Sequence, residues 1–351
     1  MKGYRSVRIG KDKVSLLLDQ KALIKLLILL VLTLMIFIIS VGLGDLHIHP
    51  FNVINLLFGG GTEVEKLVVF QLRLPRIIIS MLVGMALAVA GGILQGMVRN
   101  HLASPDIIGV TAGASMAVVA FLWLFSDDRY SLLVSVKWMP LAAFIGASLV
   151  GMAVYFLSWK DGVTPIRLVL IGIGMSALMQ AGTTMFMVLG PIYMASQANV
   201  WITGSVNSVT WEDVNVLLPV VIVLLILAFI FSRHVNIQSL GEDVAKGVGS
   251  PIERHRFLLL LISTGLVGTA VAFAGGIGFV GLMAPHIARK LVGSSFGALL
   301  PVSALIGAIL VMLADLIGRT LFLPSIVPAG VFTATLGAPY FIYLLVKSKN
   351  N

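Results

Sequence analysis

Gly84-Met-Ala-Leu-Ala-Val-Ala-Gly-Gly-Ile93 returns half a chain later as Gly268-Thr-Ala-Val-Ala-Phe-Ala-Gly-Gly-Ile277, identical at seven of ten positions and offset by 184. The same offset sets Gly109 against Gly293, Gly113 against Gly297 and Ala114 against Ala298. Both copies sit in apolar helical stretches, so the chain reads as two membrane halves built on one plan. Internal repeats of this kind give many transporters two gates around one pathway. Within the first copy, Gly84, Ala88, Gly92 and Gly96 recur every fourth residue, and Gly268, Ala272 and Gly276 repeat most of that stripe. Small residues at this spacing let a second helix approach backbone to backbone. The stripes are therefore read as packing surfaces, not as ligand contacts.

The composition supports a membrane setting. Of 351 residues, 58% are hydrophobic and 11% are charged, against roughly a quarter charged in soluble domains. There is no cysteine, which excludes disulfides, thiol chemistry and cysteine-held metals. Apolar runs of spanning length fall near 22–43, 74–97, 106–125, 138–159, 165–189, 213–231, 257–275, 299–317 and 328–346, with a shorter one at 277–292. Ten spans put both termini on one side. With the termini in the cytosol, eighteen Lys and Arg fall inside and six outside, the bias of a cytoplasmic-membrane protein. The net charge of +9 is thus mostly a topology signal, and no nucleic-acid partner is implied. All five Trp lie near span ends or in connections, where interfacial anchors belong. Residues 1–21 read as a cytosolic basic tail without a convincing cleavage site, and 22–43 as a retained first span. Residues 22–351 form one transmembrane domain, with halves near 22–189 and 213–346.

Five crossings separate the repeat copies, and an odd number makes the halves inverted. Span 5 carries Gly172, Ser176 and Gln180 on one face, turned either to a neighbouring helix or to a watery path. Met175 and Met179 on the same span could line an apolar part of that path. Among the acids, Asp315 alone lies clearly within a span, four residues before Arg319, a spacing at which the two neutralise each other. No phosphate-binding Gly-x-x-x-x-Gly-Lys-Ser/Thr loop is present, and no cluster of catalytic groups lies within the spans. The chain is therefore read as a transport subunit without enzymatic activity or a bound cofactor, and its energy comes through a partner.

The best candidate for that partner's point of action is the connection 233–256, the most charged stretch between spans, which by composition alone reads either as a coupling element or as a solvated loop. Its centre, Leu240-Gly-Glu-Asp-Val-Ala-Lys-Gly-Val-Gly249, predicts a short helix. Glu242 and Asp243 suit its N-terminal end, and Gly247 and Gly249 suit its termination. His47 and His49 suggest an iron-ligand pair only in outline, since two exposed-loop histidines are more often unligated.

The Glu242, Ala245, Gly249 spacing resembles the coupling loop of binding-protein-dependent ABC importer permeases. Four blocks resemble the FecCD family more specifically, a family of permeases for ferric siderophores, haem and cobalamin. They are Arg73-Leu-Pro-Arg76, Asn100-His-Leu-Ala-Ser-Pro-Asp-Ile-Ile-Gly109, Gly281-Leu-Met-Ala-Pro-His-Ile-Ala-Arg289 and Thr333-Ala-Thr-Leu-Gly-Ala-Pro339. His101 departs from the family's usual proline. The resemblance implies an all-α fold of ten spans and a second permease subunit, identical or homologous. It further implies two cytosolic ATPase subunits that bind ATP-Mg, an extracytoplasmic binding protein, and a ferric siderophore as cargo, with cobalamin or haem as alternatives. An ion-coupled carrier is the rival outside the family. By the same resemblance, Arg73, Arg76 and Arg319 correspond to arginines that meet acidic residues of the binding protein, and Leu240, Gly241, Glu242, Asp243, Ala245, Gly247 and Gly249 form the coupling loop. Thr164-Pro165-Ile166 falls at the inner gate, where Thr164 alone keeps a hydroxyl. Pro285, His286 and Arg289 match a structural signature, with His286 expected to be hydrogen-bonded.

Overall fold

The computed structural model describes residues 4–9, 14–44, 46, 48–57, 59–126, 134–160, 163–190, 192–207, 209–247, 249–322 and 325–349. Two antiparallel strands, β1 (Tyr4–Ile9) and β2 (Val14–Asp19), open the chain, with Tyr4 opposite Asp19 and Ile9 opposite Val14. The basic tail is thus a hairpin, and the regular elements described after it are helical apart from an isolated bridge between Trp159 and Val163. Helix α1 (Gln20–Gly42) begins two residues before the expected span because the Asp19 side chain accepts from the Lys21 N–H at 2.9 Å. This is ordinary N-capping chemistry.

The short helices α2 (Pro50–Leu57) and α3 (Glu63–Lys66) follow, the latter opened by a Thr62–Glu65 capping box. A π-helical stretch, Leu67–Arg73, then runs without a break into α4 (Leu74–Val98), so that Glu63–Val98 is one rod of 36 residues. After a 3-10 turn at Pro105–Ile108 come α5 (Val110–Leu124), α6 (Met139–Leu157), α7 (Pro165–Leu189) and α8 (Ile192–Thr203). The second half holds α9 (Trp211–Ser239), α10 (Glu242–Gly247), α11 (Ile252–Ala274), α12 (Val280–Val292), α13 (Phe296–Thr320) and α14 (Ala329–Lys349). Among the described residues seven helical stretches are long and apolar enough to cross a membrane, and α5 and α14 are shorter apolar helices. At 13 residues, α12 reaches only about 20 Å.

Burial separates a core from a ring. The most apolar windows of the α4 rod, α11 and α13 are 83%, 72% and 67% buried, whereas those of α1, α7 and α9 are 17–22% buried. Small residues create this core. Helices α4 and α13 run antiparallel in one register, pairing Arg76 with Asp315, Gly84 with Gly307, Gly92 with Leu299 and Leu300, and Gly96 with Phe296. At Gly84 a Cβ would lie 2.2 Å from the Gly307 carbonyl oxygen, so no side chain fits. Helices α11 and α6 repeat this arrangement. Gly268 faces Ala147 and Thr264 faces Gly151, again antiparallel. The repeated glycine of each half therefore packs on a helix of the same rank in the other, α13 for Gly84 and α6 for Gly268. This exchange is what inverted repeats produce. Buried hydroxyls along these helices bond their own backbone, as Ser80 does to Arg76 O and Ser303 to Leu299 O, which satisfies those donors without a cross-helix partner.

The constant offset of 184 does not persist. Eleven residues separate α4 from α5, but only five separate α11 from α12. The packing equates α6 with α13, so the matches at Gly113/Gly297 and Ala114/Ala298 do not join equivalent helices. Gly109 and Gly293 do share a positive φ, 82° and 80°, but only Gly109 takes the left-handed helical conformation, since its ψ is 3° and that of Gly293 is −168°. Gly276 is a further correction to the stripe. Gly275 at φ 66° ends α11, so Gly276 lies in the break before α12, against Ile202 O.

Candidate transport pathway and coupling site

Three arginines gather at the end of α1, whose last carbonyls lack intrahelical partners and carry the negative end of the helix dipole. Arg73 donates to Val41 O at 2.8 Å, Gly42 O at 3.1 Å and Leu46 O at 2.5 Å. Arg319 donates to Leu43 O at 2.8 Å and to Ser40 O. Arg76 grips Asp315 through Nε (2.9 Å) and Nη2 (2.8 Å), and its Nη1 reaches Asn207 at 3.0 Å. Arg319 Nε stands 3.6 Å from the same carboxylate. The sequence paired Asp315 with Arg319; in the fold Arg76 holds the closer place. Asp315 is 3% exposed, Arg73 7% and Arg319 9%. All three arginines point into the protein, where they tie α1, α4, α13 and the α8–α9 connection together. His49 is exposed at the start of α2, where its carbonyl accepts from Asn52 and Val53, while His47 lies outside the described residues.

The face of α7 divides. Gly172 packs directly on Ile107 and Ile108, and Ser176 Oγ donates to Asp106 O at 3.3 Å. Gln180 is exposed, as is Thr164 at the helix start, while Met175 and Met179 pack toward the core. Gly172 and Ser176 thus face the Pro105–Ile108 turn, while Gln180 is turned away from it. Asp106 was quoted only as part of a motif, yet it joins the halves. Its carboxylate accepts from Thr111 Oγ1 at 3.0 Å and from the Phe279 backbone N–H. Phe279 has φ 65° and caps α12, so an acid from the first half sits at the N-terminus of a second-half helix, where the dipole favours it. A Cβ on Gly337 would meet Phe279 Cβ at 2.4 Å, which places α14 on the same junction. The sequence also missed α8. Its end wedges in where glycines yield space: Gly330 N–H bonds Gly204 O at 3.0 Å, and a Cβ at Gly275 would strike Trp201 O.

At the opposite end Arg289 donates to Gln95 at 3.0 Å and Arg99, at φ 54°, closes α9 by donating to Gln238 O at 3.0 Å. His286 corrects an expectation. Its ring meets Tyr340 edge-on at 5.8 Å, and neither ring nitrogen has a hydrogen-bond partner among the described residues. Packing against the aromatic, beside Arg289 and Lys290, takes the place of a hydrogen bond. His101, in the connection after α4, is held below its ordinary pKa by burial and by the nearby Arg289 charge.

The segment expected to couple, 240–249, is a helical turn slung between α9 and α11. Ala245 N–H bonds Gly241 O and Ser250 N–H bonds Ala245 O, both at 3.0 Å. Gly241 and Gly249 take φ of 123° and 72°, values that suit glycine. Ala245 is fully buried, whereas Leu240 and Val244 are 69% and 50% exposed. The side chains of Glu242 and Asp243 lie outside the described residues; their backbone opens α10. Below it, His234 and His255 stack with ring centres 3.7 Å apart, and His255 meets Ser250 Oγ at 3.2 Å. The turn is thus clamped at its base and presents two apolar side chains outward.

A family profile, the FecCD transport family, matches residues 31–347. The chain belongs to the FecCD transport family. It is 57% identical over 333 residues, 95% of its length and 97% of the other's, to the probable siderophore transport system permease protein YfhA of Bacillus subtilis (strain 168). It is 43% identical to the iron(3+)-hydroxamate import permease FhuG of the same organism, covering 93% of this chain and 98% of FhuG. A solved inward-facing structure of a metal-chelate type ABC transporter superposes with a TM-score of 0.81 at 30% identity, covering 92% of this chain and 98% of that one. This FecCD protein is thus a multi-pass membrane permease subunit of the ABC importer kind.

Proposed function

We propose that the chain is a permease subunit that moves ferric siderophore complexes across the cytoplasmic membrane into the cytosol, both of its termini being cytosolic. The observation that carries this reading is the near full-length identity to a siderophore permease, joined to two inverted halves with no nucleotide-binding loop. Energy enters at α10. Two cytosolic ATPase subunits that bind ATP-Mg grip the exposed Leu240 and Val244, while buried Ala245 and the left-handed Gly241 and Gly249 tie that turn to α9 and α11. A push there reaches α11, a core helix, and so moves one half against the other. A second permease subunit, identical or homologous, completes the path, which α7 lines with Thr164 and Gln180. Asp106 keeps the α12 junction aligned through the motion.

An extracytoplasmic binding protein docks at the outer end. In this reading Arg73, Arg76 and Arg319 serve docking by fixing the shape of that surface, since their guanidinium groups are committed to α1 carbonyls and to Asp315. Uptake of radiolabelled iron in a strain lacking the gene tests the cargo. Loss of ferric-siderophore uptake with haem and cobalamin use unchanged is the expected result. Loss of cobalamin or haem use with siderophore uptake intact would reassign the cargo within the same fold.

A further inference from the structure

Helices α6, α9 and α11 leave between them an apolar cleft of about 270 Å³, walled by Gly151, Tyr155, Leu224, Phe257, Leu261 and Gly265 among others. Glycine makes the space. A Cβ at Gly265 would already stand 3.3 Å from Leu224, so any longer side chain there enters the cleft. The cleft opens sideways, since Met152 and Leu261 on its walls are 44% and 49% exposed. From Phe257 to Thr269 the α11 wall runs twelve residues, about 18 Å. One leaflet of the hydrocarbon core is about 15 Å deep.

One end of the cleft is aromatic and basic. Tyr155 packs against Phe257 at 5.0 Å and Trp159 at 5.6 Å between ring centres, and a half-exposed Trp at a helix end marks the headgroup level. Arg254 precedes Phe257 by three residues and Leu261 by seven, which puts it on the cleft face of α11. Lys160 follows Trp159 at the end of α6. Both cations are exposed, and neither side chain has an ion pair among the described residues. Of the neighbouring acids, Glu253 is already engaged by the Val163 N–H at 3.2 Å and by Arg256 at 3.6 Å, and Asp161 lies outside the described residues.

We propose that this cleft binds an anionic phospholipid of the cytosolic leaflet, with one acyl chain along α11 and the phosphate between Lys160 and Arg254. The apolar wall selects a hydrocarbon chain, its length matches a single leaflet, and the two cations, without an ion pair among the described residues, select negative charge. Which leaflet is named rests on the orientation given above; the existence of the site does not.

The test is native mass spectrometry of the full chain released from vesicles of equimolar phosphatidylglycerol and phosphatidylcholine. The unaltered chain should retain phosphatidylglycerol selectively. K160Q/R254Q should cut that preference roughly thirtyfold, the loss of two surface cations, and Gly265→Leu should abolish retention of both lipids. Equal retention of the two lipids by the unaltered chain would overturn the proposal. So would unchanged phosphatidylglycerol retention in K160Q/R254Q, which does not depend on the filled-cleft variant folding. Loss of chain–chain association in Gly265→Leu with lipid retention intact would make the cleft a seam between copies instead, and would equally overturn it.

Discussion

Replacing Gly84 and Gly268 by alanine, separately, sets two residues with the same place in the repeat against different neighbours. Alanine gains about 1 kcal/mol over glycine inside a helix, and that gain is common to both variants. At Gly84 the new methyl would lie 2.2 Å from Gly307 O, 2.5 Å from its carbonyl carbon and 2.8 Å from Ala308 N. All of these are backbone atoms of α13, and ordinary contact begins near 3.4 Å. The two helices must part by about 1 Å, and a gap of that size forfeits up to half of the dispersion well for each atom pair along the seam. Overpacking of this kind costs about 1–3 kcal/mol, and a rigid backbone-on-backbone clash belongs at the top of that range, so less the alanine gain Gly84→Ala should be destabilised by up to about 2 kcal/mol net. At Gly268 the methyl meets Ala147 Cβ at 3.2 Å and Phe144 Cδ2 at 3.3 Å; the Phe144 ring can turn away, and the fixed Ala147 Cβ asks for a helix shift of only tenths of an ångström. That variant should be neutral or up to about 1 kcal/mol more stable. Titration of the purified chain with SDS in mixed micelles, followed by tryptophan fluorescence, measures both. Equal stabilities, or a Gly84→Ala chain sturdier than Gly268→Ala, would refute the backbone-contact reasoning.

Asp315→Ala should lose about 3–5 kcal/mol in the same titration, because it strands the buried cations of Arg76 and Arg319; a loss under about 1 kcal/mol would show that the cluster is not held by its charge. Ala245→Trp should prevent co-purification of the ATPase subunits while membrane insertion is unchanged, since a buried methyl site against α9 and α11 has no room for an indole, and normal complex formation would remove α10 from the coupling path. His101 takes up a proton less readily in the fold than in the unfolded chain. Its contribution to stability is therefore complete above the unfolded value of about 6.5 and declines as the pH falls below it. Unfolding midpoints between pH 7.5 and 5.5 should show that decline, and His101→Gln should make it shallower without removing it, because His255 is also held below its ordinary value by burial.

The repeat was legible because close approach of core helices favours very small residues in both halves, backbone to backbone at Gly84 and against the Ala147 and Phe144 side chains at Gly268. The segments between helices have no such constraint. They differ in length, so the offset of 184 drifts after the first pair and the true partner of α13 is α6. Gly276 looked helical because periodicity sees composition, whereas the helix ends on the left-handed backbone of Gly275. The three arginines carried a family pattern, but their commitment to α1 carbonyls depends on where α1 ends in space, which no local pattern encodes. Helix α8 and the Asp106–Phe279 contact were hidden for the same reason: each is a long-range meeting of a loop with a helix end. The coupling turn was readable, since charge, glycine placement and one alanine sit within ten consecutive residues.

The central claim is that two inverted halves form a passive conduit driven by separate ATPases. Proteoliposomes test it most directly, with the chain reconstituted alone under a proton or sodium gradient, and again with its ATPase subunits, binding protein and ATP. Accumulation of ferric siderophore only in the complete, ATP-supplied vesicles is the predicted result. Uphill accumulation by the chain alone would contradict it.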